Sequence, residues 1–512
     1  MREVRKADEY RINELGGDLA RRIGLCAKRM ESEDYSAEKI FQPEEYKWHG
    51  DWEGRALLAM SSLKNFSGSG GANYDPCWKQ LDTALNDQGY FGPVIDPENV
   101  NEQQFAGNSW YLRALCVEYE NRPRPDILEK MKKATENLYI RNKEIFSEYP
   151  VRETGENETN YAAGVLTRRV GHWTLSSDVG CVYIALDGLS HAYKILQAKE
   201  LEETIRLLIA RFSATDLSGR SFQTHAFLSG IRGLIRFSEI AADEEIFELA
   251  RKYFDYYTQT SINYIYENYG VLNYPSGSEG CAVVDEAMLC AAFYKRTKDE
   301  KYLALYRKIY VNAIRVNQRH NGGMGCNVAV GTGDINYVAS VPEFTEAVWC
   351  CSMRACEGMV DFARNLYCVE GDTVRVMLPN DNTSTFFEGD VRIEEKTDYP
   401  YDGYTVFRVT ECRRPFRLNI SFLDSYEIVR ETEGDEITVR RPCTIVVRHF
   451  GKARVRTAGG KRGYEYGDMV LGESIGEKEK NYVFDNRKLQ PLVHVDAIDM
   501  EDLPAFRQKV LF

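Results

Sequence analysis

The hydrophobic period of this chain changes once, near residue 370, and that change limits the folds open to it. From about residue 10 to 365, apolar residues recur at three- and four-residue spacing. They do so in Trp110–Tyr119, Val182–Leu196, Leu201–Phe212, Phe227–Ile240, Ile246–Tyr257, Ala282–Tyr294, Tyr302–Ile314 and Met353–Tyr367. This spacing predicts helices, and the Gly-, Asn- and Pro-rich stretches 67–76, 91–101 and 270–280 read as loops between them. Beyond the change, Thr373–Leu378, Val391–Glu395, Tyr404–Val409, Phe416–Phe422, Glu436–Arg440 and Thr444–Phe450 are short, rich in Val, Ile, Thr and Phe, and separated by turn residues. These segments predict an antiparallel β-sandwich. The expectation is a mainly α chain with a β domain, divided into a helical domain over residues 1–368 and a sandwich over 369–512.

A weak repeat narrows the helical part further. Ala242-Asp243-Glu244-Glu245-Ile246-Phe247 and Lys298-Asp299-Glu300-Lys301-Tyr302-Leu303 each open a helix after a short polar turn, 56 residues apart. Each places acidic residues at the helix start, where the helix dipole favours negative charge. One antiparallel helix pair per repeat fits this spacing. Such pairs stack as a solenoid or close into a toroid, and the length of the helical part suits roughly six of them.

Charge and cysteine usage then limit the function. The chain has 512 residues, 43% of them hydrophobic, which is enough for a large core. A net charge of −13 repels a phosphate backbone and argues against a nucleic-acid partner. No apolar run reaches the roughly 18 residues of a membrane span. The first residues are charged throughout and lack the apolar centre of a secretory signal. The 13 cysteines are odd in number and scattered, which favours reduced thiols and a cytoplasmic location over a disulfide framework. Cys26, Cys116 and Cys290 lie in apolar helical contexts and read as core residues. The 32 Tyr, 23 Phe and 6 Trp suit a packed helical core, and equally suit sites where rings stack on sugars.

Four places could carry chemistry, and a fifth is weaker. Trp349-Cys350-Cys351-Ser352-Met353-Arg354 holds adjacent cysteines. Neighbouring side chains diverge on a helix or a strand, so both enter one core only with difficulty. Both reach a metal from an irregular turn, and a helix starting at Ser352 or Met353 would stabilise a thiolate there. Two buried thiols or a vicinal disulfide are the alternatives. Glu279-Gly280-Cys281 pairs a carboxylate with a thiol at another helix start. Together the two segments offer Glu279, Cys281, Cys350 and Cys351, a donor set that Zn2+ accepts. His225, one of only seven histidines, sits at a helix entry, as a core residue or as a donor to substrate hydroxyls. Glu267, among tyrosines, reads as a surface carboxylate or as an acid/base of raised pKa, with Asp285 and Glu286 competing for that role. Asp51 and Glu53, beside Trp48, His49 and Trp52, either line a sugar subsite or cap a helix. No G-x-S-x-G or HExxH is present, and Gly68-Ser69-Gly70-Gly71 lacks the Lys of a phosphate-binding loop.

These residues resemble the β-L-arabinofuranosidase family, glycoside hydrolase family 127. Glu279-Gly280-Cys281 resembles its E-T-C motif, and Cys350-Cys351 its C-C-P-P-N motif. Asp87-Gln88-Gly89-Tyr90-Phe91-Gly92 is similar to D-G-Y-L-G, Phe105-Ala106-Gly107-Asn108 to an A-G-H helix start, and Thr224-His225-Ala226 to G-H-A-V-R. Thr397-Asp398-Tyr399-Pro400-Tyr401-Asp402-Gly403 is similar to T-D-Y-P-W-D-G. The chain departs from the family at Asn108, where the family has histidine, and at Ser352-Met353-Arg354 in place of P-P-N. A second substrate histidine is absent around Asp178–Leu186.

The resemblance implies an (α/α)6 barrel followed by an antiparallel β-sandwich. It implies zinc held by Glu279, Cys281, Cys350 and Cys351, with Cys350 the nucleophile of a retaining glycosidase. It implies Glu267 as acid/base, with substrate contacts from His225, Asn108, Trp52 and Glu53. The substrate would be a β-L-arabinofuranoside or a related plant-glycan sugar, in an oligosaccharide or simple glycoside. A carbohydrate-binding protein with a structural zinc, and a lyase or epimerase on the same barrel, are the other functions to separate. A homodimer is compatible with all of them.

Overall fold

The computed structural model describes residues 10–42, 48–151, 168–175, 180–218, 222–275, 277–326, 329–330, 336–339, 345–420, 426–428, 436–458, 461–473, 482–484, 487–492 and 507–510. Among these, twelve helices of at least nine residues precede the main run of strands. They are α1 (Gly17–Met30), α2 (Asp51–Ser67), α3 (Tyr74–Ala84), α4 (Glu102–Asn121), α5 (Pro125–Ala134), α6 (Ala185–Leu196), α7 (Lys199–Ser213), α8 (Thr224–Ala241), α9 (Glu244–Thr260), α10 (Gly280–Thr297), α11 (Glu300–Lys308) and α12 (Cys351–Arg364).

The even-numbered helices pack on one another in chain order, and α12 packs back on α2, so that six helices close a ring. The odd-numbered helices lie outside it, α3 to α11 against neighbours in sequence and α1 mainly against α12. Burial follows this division. Helix α4 is buried on every face from Glu102 to Glu118, as expected for a helix surrounded by others. The outer helix α9 buries a single stripe, Ile246, Phe247, Ala250, Tyr253, Phe254 and Tyr257. Glycines bring the inner backbones together. A Cβ at Gly54 would stand 2.4 Å from the Tyr111 nitrogen, and one at Gly233 would stand 2.5 Å from the Leu186 carbonyl carbon.

The 56-residue repeat corresponds to two outer helices capped alike. Asp243 accepts from the Ile246 nitrogen at 3.2 Å, and Asp299 from the Lys301 nitrogen at 3.0 Å. Each satisfies a donor that the first helical turn leaves free. The last predicted helix stops at Arg364, and Tyr367 instead opens the strand Tyr367–Glu370.

The strands form three main sheets. A six-stranded antiparallel sheet runs Tyr10–Leu15, Asn382–Phe386, Val391–Thr397, Gly403–Cys412, Cys443–His449, Tyr426–Ile428. Residues 10–15, read from sequence with the helical part, therefore sit in a sheet of the C-terminal part. Their alternation of half-buried and exposed side chains (Tyr10, Ile12 and Leu15 against Arg11, Asn13 and Glu14) is that of an edge strand. A four-stranded sheet, Glu436–Val439, Phe416–Asn419, Thr373–Val376, Tyr367–Glu370, faces the first across stacked and edge-on contacts of Tyr10, Tyr367 and Phe386. This sheet is not wholly antiparallel, because Thr373–Val376 pairs in parallel with Phe416–Asn419. A third sheet joins C-terminal strands to Asn336–Ala339 and Ala329–Val330. The predicted Phe416–Phe422 ends at Asn419, and Phe422 lies outside the described residues. No helix of the described residues is long and apolar enough to cross a membrane.

Candidate metal centre

The N-terminal ends of four inner helices meet at one place. Helix α10 begins at Gly280 with Glu279 as its cap residue, and α12 begins at Cys351 with Cys350 as its cap residue. The helix after the paired cysteines thus starts one residue earlier than the sequence suggests. His225 is the second residue of α8, and α2 contributes Asp51, Trp52, Glu53 and Arg55 from its first turns. Helix N-termini carry partial positive charge, which suits thiolates and carboxylates.

Ligand atoms of Glu279, Cys281, Cys350 and Cys351 all lie within 4.8 Å of one another. The Cys351 sulfur is 3.4 Å from Cys281 Sγ and 3.5 Å from Cys350 Sγ. Four thiolate or carboxylate donors gathered this closely match the donor set and compactness of a tetrahedral zinc site. Gly280 makes the gathering possible. A Cβ there would stand 2.8 Å from the Gly325 oxygen and 3.3 Å from Cys351 Cβ, forcing α10 away from α12. Cys281 and Cys351 are fully buried, whereas Cys350 keeps part of its surface, and its neighbour Trp349 is 44% exposed.

Without a cation the thiols are neutral. Burial is the main cause of the high Cys281 pKa, and hydrogen bonding with the Cys281 and Cys326 thiols the main cause for Cys351. Cys350 is also held well above the ordinary thiol range, although its hydrogen bond with Cys281 pulls the other way. The Arg55 guanidinium lies 3.6 Å from Cys281 Sγ and is anchored by Asp51 at 2.8 Å. It supplies a fixed positive charge beside the thiols.

His225 lies between two carboxylates. Its Nδ1 is 3.4 Å from Glu279 Oε1 and its Nε2 3.5 Å from Asp285 Oδ2, while Trp110 stacks on the ring at 5.7 Å. The imidazole is 1% exposed, and burial holds its pKa well below the usual value, so it is neutral. Its nearest polar neighbour is Glu279.

Glu267 is fully buried in the turn between α9 and α10. Its Oε1 accepts from Asn317 Nδ2 at 3.2 Å, and the same Nδ2 lies 3.3 Å from the Gly325 oxygen. Of the competing carboxylates, burial raises Asp285, but Arg354 and Arg232 outweigh it and hold the group at about 2. Burial pushes Glu286 well above the carboxylate range, so it is a neutral acid, with Glu267 a further cause.

Of the remaining expected contacts, Asn108 and Glu53 are buried and Trp52 is half-buried. The Asn108 Oδ1 accepts from the Phe91 nitrogen at 2.9 Å, and its Nδ2 donates to the Phe91 and Gln104 oxygens, so the amide ties a loop to α4. Glu53 accepts from the Gly50 nitrogen at 3.1 Å and closes the start of α2, with burial pushing its carboxyl up to about 8. Trp52 is half-buried beside it.

Sequence reading missed three contributors. Cys326 Sγ lies 3.8 Å from Cys351 Sγ. Asn268 holds Glu279 by both backbone groups, donating to its oxygen at 2.9 Å and accepting from its nitrogen at 3.2 Å. Arg55, in the first turns of α2, is the third. None of the three belongs to a spaced motif, so only the folded chain brings them to the site.

No protein-family model matches the sequence, and no curated protein matches it in sequence. Solved structures match the fold. A GH127 β-arabinofuranosidase shares 11% identity over 96% of this chain and 88% of its own, with a TM-score of 0.60. A GH127 β-L-arabinofuranosidase from Geobacillus stearothermophilus T6 shares 11% over 90% of this chain and 86% of its own, at 0.60. A further glycoside hydrolase shares 12% over 94% and 87%, at 0.62. The chain has the fold of these proteins.

Proposed function

We propose that this chain is a divergent GH127-like enzyme, a retaining glycoside hydrolase with a cysteine nucleophile. Its fold is read as an (α/α)6 barrel within residues 1–368 and a β-sandwich over 369–512 that also takes in Tyr10–Leu15. The closed ring of six helices and the likeness in fold to GH127 structures support this. The observation that carries the chemistry is the cluster of Glu279, Cys281, Cys350 and Cys351, in which Cys350 is the thiol that keeps an open face. The proposed substrate is a β-L-arabinofuranoside or a related plant-glycan sugar. The proposed compartment is the cytoplasm, where the thirteen free thiols would stay reduced.

Glu279, Cys281, Cys350 and Cys351 would hold zinc. Bound there, zinc would keep a thiol ionised at neutral pH. In the first step Cys350 Sγ attacks the anomeric carbon, the carbon–sulfur bond forms, and the glycosidic carbon–oxygen bond breaks. The leaving oxygen takes a proton from Glu267. In the second step a water oxygen attacks the same carbon and gives its proton to Glu267, and the thiolate is released. His225, Trp52, Glu53 and Asn108 are proposed to shape the sugar-facing end, with His225 also close enough to Glu279 to orient it.

The test uses the full chain, purified with a reductant, against nitrophenyl arabinofuranosides and other nitrophenyl glycosides. Elemental analysis is expected to give about one zinc per chain. Cys350→Ala is expected to lower turnover by at least about 10³-fold while the protein stays folded. A variant that keeps its metal and full activity would sink the nucleophile assignment. An unsaturated or isomerised sugar among the products would replace hydrolysis with a lyase or epimerase. Sugar binding without turnover would leave a carbohydrate-binding protein.

A further inference from the structure

Cys326 ends a two-residue strand, Gly325–Cys326, that pairs with Thr345–Glu346 just before the Cys350–Cys351 turn. The short strand is pinned on its other sides as well. Cys326 makes an antiparallel bridge to Glu279, and the Gly325 nitrogen donates to Asn317 Oδ1 at 2.9 Å. Its thiol is thus carried by a segment fixed to both ligand-bearing helix starts. Cys351 is the hub of the thiol cluster, with Cys281, Cys350 and Cys326 sulfurs at 3.4, 3.5 and 3.8 Å. Thiolates on a tetrahedral zinc, with zinc–sulfur bonds of about 2.3 Å, lie about 3.8 Å apart. The Cys326–Cys351 pair already has that separation. Cys326 is half-buried, as Cys350 is, and its sulfur stands just outside the group of four donor atoms that lie within 4.8 Å of one another.

We propose that Cys326 is a metal donor, giving the site five donors for four positions. Cys281, Cys326, Cys351 and Glu279 then offer four donors even while the Cys350 sulfur is bonded to the sugar. This rests on the metal reading proposed above and adds a residue to it. It also accounts for a fourth thiol in a cluster whose chemistry, as read from sequence, needs three.

The experiment compares wild type, Cys350→Ser and Cys326→Ser/Cys350→Ser, all full-length and kept reduced. Zinc per chain and zinc affinity are measured by chelator competition, and sulfur ligands are counted by X-ray absorption on the zinc-loaded proteins. Circular dichroism monitors folding. Cys350→Ser is expected to keep about one zinc per chain, with three sulfur ligands and an affinity within about tenfold of wild type. The double variant is expected to bind at least about 100-fold more weakly than Cys350→Ser. Two sulfur ligands in zinc-loaded Cys350→Ser, a count that does not depend on the double variant folding, would overturn the assignment of Cys326 alone. So would equal affinity in the two variants. A wild-type chain that takes up no zinc would overturn this inference and the metal reading together.

Discussion

Trp349 is an indole left 44% exposed next to the one cluster cysteine of the four-donor set that keeps an open face. If Cys350 is the nucleophile as proposed, an exposed ring beside it would be a platform for a sugar face, where stacking contributes on the order of 1 kcal/mol. Trp349→Ala is therefore expected to raise KM roughly five- to tenfold while kcat changes less than about twofold, as steady-state kinetics on the best glycoside would read. An equal fall in kcat would place the ring in the reacting centre instead. At this scale Cys350-Cys351 and Glu279-Gly280-Cys281 stand out only together and through the family resemblance, since each alone also reads as buried thiols or as a solvated Glu beside a buried Cys. The sequence is silent on Cys326 and Asn268, whose neighbours in sequence say nothing about a bridge to Glu279 formed only after folding.

Helix starts are the elements that make the site, and Gly280 is where two of them touch. Gly280→Ala would press a methyl group against the Gly325 oxygen and Cys351, an overpacking that costs about 1–3 kcal/mol. The expected result is a lower Tm together with lost zinc, and no change in either would mean that α10 and α12 separate freely. In the β part, Glu395 joins two sheets. It accepts from the Tyr367 hydroxyl, and from Asn382 Nδ2 at 3.1 Å, and burial pushes its carboxyl up to about 8. The folded protein keeps this proton until about pH 8, whereas the unfolded chain loses it near the ordinary value of 4.5. The contribution is therefore complete below pH 4.5 and is lost as pH rises through 8. Glu395→Gln mimics the neutral acid, so its Tm relative to wild type is expected to climb between pH 5 and pH 8. A difference independent of pH would show that the group is already ionised. The helices were readable because each has one repeating stripe or none at all. The strand Tyr10–Leu15 was not, because six residues with three polar ones carry no preference that its partner, far along the chain, does not supply.

Over the whole molecule, the ring of helices is filled by charge as well as by apolar side chains. Asp187 is fully buried among Arg113, Arg232 and Arg236, while Glu357 meets Arg113 and Arg354, and Asp285 meets Arg232 and Arg354. Asp187 and Asp285 stay ionised against burial because the guanidiniums surround them, as their low pKa values express. Such a lattice fixes the angle of each inner helix against the next, since moving one strands a charge without solvent. Asp187→Asn is expected to cost about 3–5 kcal/mol in urea unfolding, several times a typical surface change. A loss below about 1 kcal/mol would mean that water reaches the lattice. No sequence pattern announces it, because arginines and carboxylates on helices ordinarily read as solvated faces.

The strand Tyr10–Leu15 has a consequence in time. Asn13 and Thr385, 372 residues apart, are hydrogen-bonded in the finished sheet. Translation at about 5–20 residues per second leaves the emerging strand without its partner for roughly 20–70 s. Throughout that interval the helical ring is being assembled behind it, and its unpaired edge is open to any passing chain. Arg11 and Glu14, which point to water in the folded protein, then serve as gatekeepers on the ribosome, deterring wrong partners until the right one has been made.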